Sequence, residues 1–171
     1  MDADQSAKRC FPPVVDAQTR VLILGSLPGD ASLKASQYYA HPRNAFWALL
    51  GGLIGVDLPT FPYEARLQAL LARGVGLWDV IAEADRKGSL DAAIRNQTHN
   101  ALSELISSLP LLQAVAFNGG TAAKLGRRQL HGLAEGVAML DLPSSSPAYT
   151  LPLEKKSLAW ADLVPYLSQK I

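Results

Sequence analysis

The apolar positions of this chain follow two patterns. Short, largely apolar runs occupy residues 20–24, 112–117 and 137–142, and they are followed by Gly25, Asn118 and Pro143. Runs of this length with turn residues behind them predict strands buried on both faces. Residues 75–82 form a fourth such segment, β-rich and apolar around one acid, Asp79. Between the strands the apolar positions change to helical spacing. They do so over residues 44–53 and again over Tyr63–Ala72, where Ala65, Leu67, Leu70 and Leu71 alternate with Glu64, Arg66 and Gln68 before Gly74; such a stripe predicts an amphipathic helix with a glycine stop. Residues 98–109 predict a helix capped by Thr98 and stopped by Pro110. Further helices are predicted over 121–129 and over 155–168, the last kinked by Pro165.

Strands alternating with helices predict an α/β fold, a three-layer α/β/α sandwich around a central four-stranded, mainly parallel sheet. Residues 1–19, with Pro12 and Pro13, read as a loose lead-in, and residues 20–171 as a single domain. In such folds ligand sites form in loops beyond the carboxyl ends of the strands. Chemistry is therefore expected at residues 25–30, 78–79, 117–120 and 143–149.

Composition narrows the class. With 171 residues, 49% of them hydrophobic and 18% charged, the chain can bury one full core and is not disordered. Cys10 is the single cysteine, which excludes an intramolecular disulfide, an iron–sulfur cluster and a four-cysteine zinc site, and fits a reducing compartment, the cytoplasm. The longest apolar runs fall far short of the ~20 residues that cross a bilayer, so no membrane association is expected. The polar stretch over residues 1–9 does not read as a secretory signal. A net charge of +1 argues at first against a nucleic-acid partner. Its distribution reverses the inference. No acid lies between Glu104 and Glu135, where Lys124, Arg127 and Arg128 fall, and Arg43, Lys155 and Lys156 sit in or beside candidate loops. Gripping a few phosphates needs only a local basic rim.

Gly25-Ser26-Leu27-Pro28-Gly29 leaves the first strand as a tight turn able to aim backbone N–H groups at an anion; the plainer reading is an ordinary strand-to-helix turn. It lacks the Gly-Lys-Ser/Thr ending of a P-loop and the spacing of a dinucleotide fingerprint. Residues 37–47 hold Tyr38, Tyr39, His41, Arg43, Asn44, Phe46 and Trp47. An aromatic beside an amide and a cation suits an extruded nucleobase. The structural alternatives are core packing for Phe46 and Trp47, a helix cap for Asn44 and a hydrogen-bonding role for His41. Pro143-Ser144-Ser145-Ser146-Pro147-Ala148-Tyr149 reads either as a linker or as a phosphate-binding loop. It has no nucleophile elbow, and neither His99 nor His131 sits where a triad would need it.

Taken in order, these segments resemble the uracil-DNA glycosylase superfamily, and within it the hypoxanthine-DNA glycosylase branch. The resemblance spans residues 21–160. It rests on residues 25–29, similar to the superfamily's first Pro-Gly loop; on residues 39–47, similar to an H-P-x-N-x-F-W segment; on residues 74–79; and on the serine loop, residues 143–149. Two positions depart from the wider pattern. Leu27 stands where Asp or Asn usually positions the attacking water, and Ser144 where His or Asn is typical. The hypoxanthine branch shares the first departure and relies on the asparagine of the second motif, here Asn44.

The resemblance implies a role for each residue. Asn44 is the catalytic candidate, orienting a water through its amide oxygen. Tyr39 stacks on the extruded base and Asp79 reads it, with Gly25, Ser26 and Asn118 also at the base. Gly29, Ser144, Ser146 and Arg43 grip phosphates. Tyr149, or Leu151, replaces the wedge that Ala148 is too small to provide. The implied activity is excision of a deaminated base from damaged DNA, foremost hypoxanthine from deoxyinosine, by a monomer with no cofactor, no metal and no lyase step. A uracil or broad deaminated-base glycosylase, and a non-catalytic module binding damaged bases or nucleotides on the same fold, are the alternatives. A nucleotide-dependent α/β enzyme would need a phosphate or metal motif that is incomplete here.

Overall fold

The computed structural model describes residues 7–169. Strand β2 (Val21–Gly25) is buried along its whole length. It pairs in parallel with β3 (Val75–Asp79) on one side and β6 (Ala114–Asn118) on the other; β7 (Ala138–Leu142) continues the sheet, giving the order β3-β2-β6-β7. The central sheet is therefore four-stranded and parallel throughout. Alternate residues of each strand face opposite layers. Val21, Ile23, Leu77 and Ala116 pack with Phe46 and Leu50 of α2 (Phe46–Ile54), Leu70 of α3 (Tyr63–Ala72) and Trp160 of α6 (Leu153–Trp160). Leu22, Leu24, Val115 and Phe117 pack with Leu102 and Ile106 of α4 (Leu102–Ser107) and Ala122 and Leu130 of α5 (Gly120–Leu130). The expected three layers follow from this two-sided burial.

Register decides where a site can form. Gly25 pairs with Asp79, and Asn118 with Leu142. The carboxyl ends of the strands thus line up along one edge, and the loops after them converge there.

A second, antiparallel sheet was not legible. Strand β1 (Lys8–Arg9) pairs with β4 (Ile81–Arg86), which pairs with β5 (Ile94–His99). The segment over 75–82 therefore divides at Val80, part in each sheet. The helix expected from Thr98 is corrected as well. Thr98 lies in β5, opposite Glu83, and its hydroxyl donates to the Glu83 carbonyl at 3.4 Å; α4 begins only at Leu102. Strand pairing overrides the capping pattern here. The short helix α1 (Asp30–Ala35) was likewise unforeseen. The last helix ends at Trp160, and Pro165 falls inside a 3-10 turn over Ala161–Tyr166 rather than at a kink.

The lead-in is fastened rather than loose. Cys10 N donates to Ala82 O, Val14 bridges Leu77, and Phe11 packs on the core. Residues 1–6 of that lead-in lie outside the described residues.

Gly126 on α5 shows how closely the layers meet. A Cβ there would lie 2.4 Å from Phe117 Cε1, inside a core where Phe117 is fully buried. Gly126→Ala should therefore lower unfolding free energy by ~1–3 kcal/mol in urea titrations, overpacking outweighing the gain in helix propensity. A more stable variant would show that α5 can move away from the sheet.

Candidate active site

A cavity of about 630 Å³ opens at the carboxyl edge of the parallel sheet, within the size range of small-molecule sites. Eleven residues singled out from the sequence for the site line it: Gly25, Ser26, Gly29, Tyr39, Arg43, Asn44, Asp79, Asn118, Ser144, Ser146 and Tyr149; Leu151, the other wedge candidate, does not.

Its closed end is built by three residues. Asp79, the last residue of β3, is 4% exposed, and its Oδ2 is buried without a hydrogen-bond partner. Gly25 is its neighbour in register. A Cβ on Gly25 would fall 2.6 Å from Asp79 Oδ1 and 3.1 Å from Tyr39 Oη, so only glycine leaves these groups in place. Tyr39 Oη is also buried without a partner. Its ring is stacked on Phe46, centroids 3.9 Å apart and planes at 15°. The backbone of Tyr39 has φ +53°, a left-handed conformation uncommon for an aromatic residue and characteristic of functional sites. Burial, reinforced by Asp91, raises the Asp79 carboxyl to about 7, partly opposed by Arg86. Burial also raises the Tyr39 phenol, with Asp79 as the next cause. Near neutral pH Asp79 thus has a substantial protonated population, able to donate one hydrogen bond and accept another.

The first loop is held from outside. Gly25 and Ser26 carbonyls accept from Val80 and Ile81. Arg86, 3% exposed, donates to the Pro28 carbonyl and, at 3.1 Å, to Gly88 O. The Ser26 hydroxyl donates to Asp91 Oδ1 at 2.7 Å, and Asp30 N donates to Ser89 Oγ at 2.9 Å. Leu27 is buried against Ile81, Ala84 and Ile94, which accounts for an apolar residue at that point of the loop.

In the second segment His41 is exposed and its Nδ1 accepts from Arg43 N at 3.1 Å, the hydrogen-bonding alternative considered above. Asn44 Oδ1 accepts from Phe46 N at 3.0 Å. Asn44 therefore stabilises the start of α2 and still keeps one lone pair on Oδ1. Tyr38 is buried, with its hydroxyl donating to Pro12 O at 2.9 Å.

The serine loop is fixed by side chains beneath it. Asn118 Nδ2 donates to Ser145 Oγ and Asn118 Oδ1 accepts from Ser145 N, both at 2.9 Å. Ser145 O in turn accepts from Ala45 N. Asn118 lines the cavity, but its amide oxygen and one amide hydrogen are engaged in holding this loop. Ser144 Oγ and Ser146 Oγ each accept a backbone N–H, from Ser146 and Ala148, which leaves both hydroxyl hydrogens to donate outward. Lys156, 4% exposed, donates to Ser146 O at 3.2 Å, and its Nζ lies 5.4 Å from the Tyr149 ring centroid; burial lowers its pKa. Arg127, expected on the basic rim, is paired with Asp141 at 3.1 Å.

Sequence reasoning missed Arg86, Ser89, Leu90, Asp91 and Ser145, of which the last four line the cavity. The buried residues of β4, Ile81, Ala84 and Arg86, do not alternate, because the pairing with β5 shifts register along the strand, so the hairpin left no period-two signal. Among the described residues no three His, Cys, Asp or Glu side chains converge to hold a metal, and no helix is long and apolar enough to cross a membrane.

Residues 12–164 match the Uracil DNA glycosylase superfamily. The chain is 43% identical over 155 residues to a hypoxanthine DNA glycosylase of Methanosarcina barkeri, covering 91% of this chain and 96% of that one. It is also 43% identical over 141 residues to a hypoxanthine DNA glycosylase of Methanosarcina acetivorans, covering 82% and 87%. The solution NMR structure of a candidate uracil DNA glycosylase from M. acetivorans superposes with a TM-score of 0.83 at 38% identity, covering 93% of this chain and 97% of that one.

The raised Asp79 pKa has a consequence for stability. Folded protein keeps a proton on Asp79 up to about pH 7, whereas the unfolded chain loses it near 3.8. The contribution to stability is complete below the lower value and disappears as pH rises through the upper one. Asp79→Asn should therefore show a smaller fall in Tm between pH 5 and 8 than the unaltered protein. Parallel Tm profiles would mean that Asp79 is not buried as an acid.

Proposed function

The chain belongs to the uracil DNA glycosylase superfamily, and from that membership we propose a monofunctional DNA glycosylase that excises hypoxanthine from deoxyinosine. One observation carries the substrate reading: the Asp79 carboxyl and the Tyr39 hydroxyl flank Gly25 in the cavity, and Asp79 Oδ2 and Tyr39 Oη are both buried without a hydrogen-bond partner. Buried polar groups without partners are costly, and a ligand that completes their hydrogen bonds recovers that cost. The Watson–Crick edge of hypoxanthine places an N–H beside a carbonyl oxygen. A protonated Asp79 accepts from the first and donates to the second. Both 43%-identical relatives are hypoxanthine DNA glycosylases.

The base must leave the helix to reach this end. Inosine opposite thymine is a mismatch, and extrusion is cheapest for mismatched or damaged bases. Tyr39, backed by Phe46, offers the face on which the extruded ring rests. Cleavage then places negative charge on the departing purine and positive charge on the sugar. A hydrogen bond from Asp79 to the purine oxygen spreads the first charge. Asn44 orients the attacking water with the lone pair that Phe46 N leaves free. An amide is no base at neutral pH, but a cation-like sugar needs only a well-placed weak nucleophile. Gly29, Arg43, Ser144 and Ser146 hold the flanking phosphates, and Tyr149, 48% exposed at the mouth, fills the vacated stack. Asn118 positions the serine loop.

No lysine is among the residues lining the cavity, which supports hydrolysis without a lyase step. The enzyme acts as a monomer on one extruded nucleotide, and its lone thiol fits the cytoplasm. Uracil carries the same N–H and carbonyl pair, so the Asp79 geometry also supports uracil as a second substrate.

Duplexes carrying deoxyinosine, deoxyuridine or deoxyxanthosine, incubated with the protein and then treated with alkali, separate these readings. Breaks are expected foremost at deoxyinosine, with none before alkali. Asn44→Ala should reduce the single-turnover rate by about a hundredfold or more while leaving DNA affinity within about threefold. Breaks chiefly at deoxyuridine would reassign the substrate, and binding without breaks would identify a non-catalytic module.

A further inference from the structure

Three carboxylates line the cavity: Asp30, Asp79 and Asp91. Asp79 lies buried at the closed end, where a base would sit. Asp30 is neutralised by Lys8 Nζ at 2.5 Å. Asp91 differs from both. It stands at the tip of the β4–β5 hairpin with 41% of its side chain exposed. Its Oδ1 is fixed by the Ser26 hydroxyl at 2.7 Å and lies 3.6 Å from Arg86 Nη1, while Oδ2 takes no hydrogen bond from the described residues. Arg86, its side chain 1% exposed, also spans Pro28 O and Gly88 O, so the hairpin tip and the first loop are clamped to one buried guanidinium.

Depth in the cavity separates the roles of the two acids. A base reaching Asp79 leaves its sugar nearer the mouth, beside the first loop, which is where Asp91 is held. At Leu27 the first loop supplies no carboxylate, because that side chain is turned into the small-sheet core. Asn44, proposed to orient the water at the sugar, is uncharged.

We propose that Asp91 is a further catalytic residue, a carboxylate carried on the hairpin whose free oxygen faces the sugar of the extruded nucleotide and stabilises the positive charge that develops at C1′. The inference rests on the glycosylase reading. In the step, the bond from C1′ to the base nitrogen breaks and its electron pair leaves with the base. A water oxygen then forms the new bond to C1′. The water's proton passes to solvent and the departing base takes one up. Asp91 contributes fixed negative charge and need not keep a proton. Such a charge is effective because it is already oriented, by Ser26 and Arg86, before the substrate arrives.

The test compares two uncleavable duplexes. One carries a pyrrolidine in place of the target sugar, positively charged like the sugar in the transition state. The other carries neutral tetrahydrofuran. The unaltered protein should prefer the pyrrolidine duplex by about tenfold or more. Asp91→Asn keeps the shape and an acceptor for Ser26 but loses the charge. It should abolish that preference while leaving tetrahydrofuran affinity within about twofold, and should slow single-turnover excision by about tenfold or more. Asp91→Ala gives the same readout should the asparagine variant be unstable. A preference retained in the variants, or absent from the unaltered protein, overturns the proposal. So does equal weakening on both duplexes, which would make Asp91 a structural clamp. Neither duplex carries a base, so failure here is distinguishable from a wrong assignment of the excised base.

Discussion

A carboxyl group held away from water without a partner is expensive to keep ionised, and it remains in a folded protein only where its surroundings are over-determined. Asp79 is such a group. Its position follows from register: β3 pairs with β2 so that Asp79 lies beside Gly25 at the end of both strands. Much of the site is arranged around that meeting. Gly25 has no side chain because Asp79 and Tyr39 occupy the space. Tyr39 takes a left-handed backbone and rests its ring on Phe46. Arg86 and Asp91 act on the same carboxyl with opposite sign, behind the desolvation that dominates. The end of the cavity is built to receive a flat molecule offering both a donor and an acceptor.

Around that end, hydrogen bonds tie the loops to one another and to the elements beside them. The hairpin holds the first loop through Arg86, Ser89 and Asp91. Asn118 and Ala45 hold the serine loop through Ser145. Trp160 and Lys156 anchor its start and its middle, at Pro143 O and Ser146 O. This cross-bracing sets donors and acceptors before a ligand arrives, and preorganisation of that kind is what lets uncharged groups such as Asn44 contribute to catalysis.

The parallel sheet and the site edge were legible because their signals are local. Unbroken runs such as Val21–Gly25 followed by turn residues mark buried strands, and the loops behind them mark the site. Asp79 was visible as a lone acid in an apolar strand. The small sheet was not. β5 has one buried residue, Ile94, and five exposed ones, so it carries no apolar alternation. Thr98 offered a helix cap that cross-strand pairing overrode. Asp91 and Arg86 were hidden for a related reason. Their meaning lies in contacts with Ser26 and Pro28, some sixty residues away, and no spacing along the chain records such a contact. The engagement of Asn44 with Phe46 shows the reverse case, where a helix-start role and a proposed catalytic role share one side chain.

The direct measurement is a crystal structure of the protein on a duplex whose deoxyinosine carries a 2′-fluoro-arabino sugar, which resists cleavage. We predict the hypoxanthine ring outside the helix, lying on Tyr39, with its N1–H and carbonyl oxygen hydrogen-bonded to the Asp79 carboxyl. A base left stacked in the duplex, or one bound with that edge turned toward the serine loop and Asp79 still without a partner, would contradict the reading of this site.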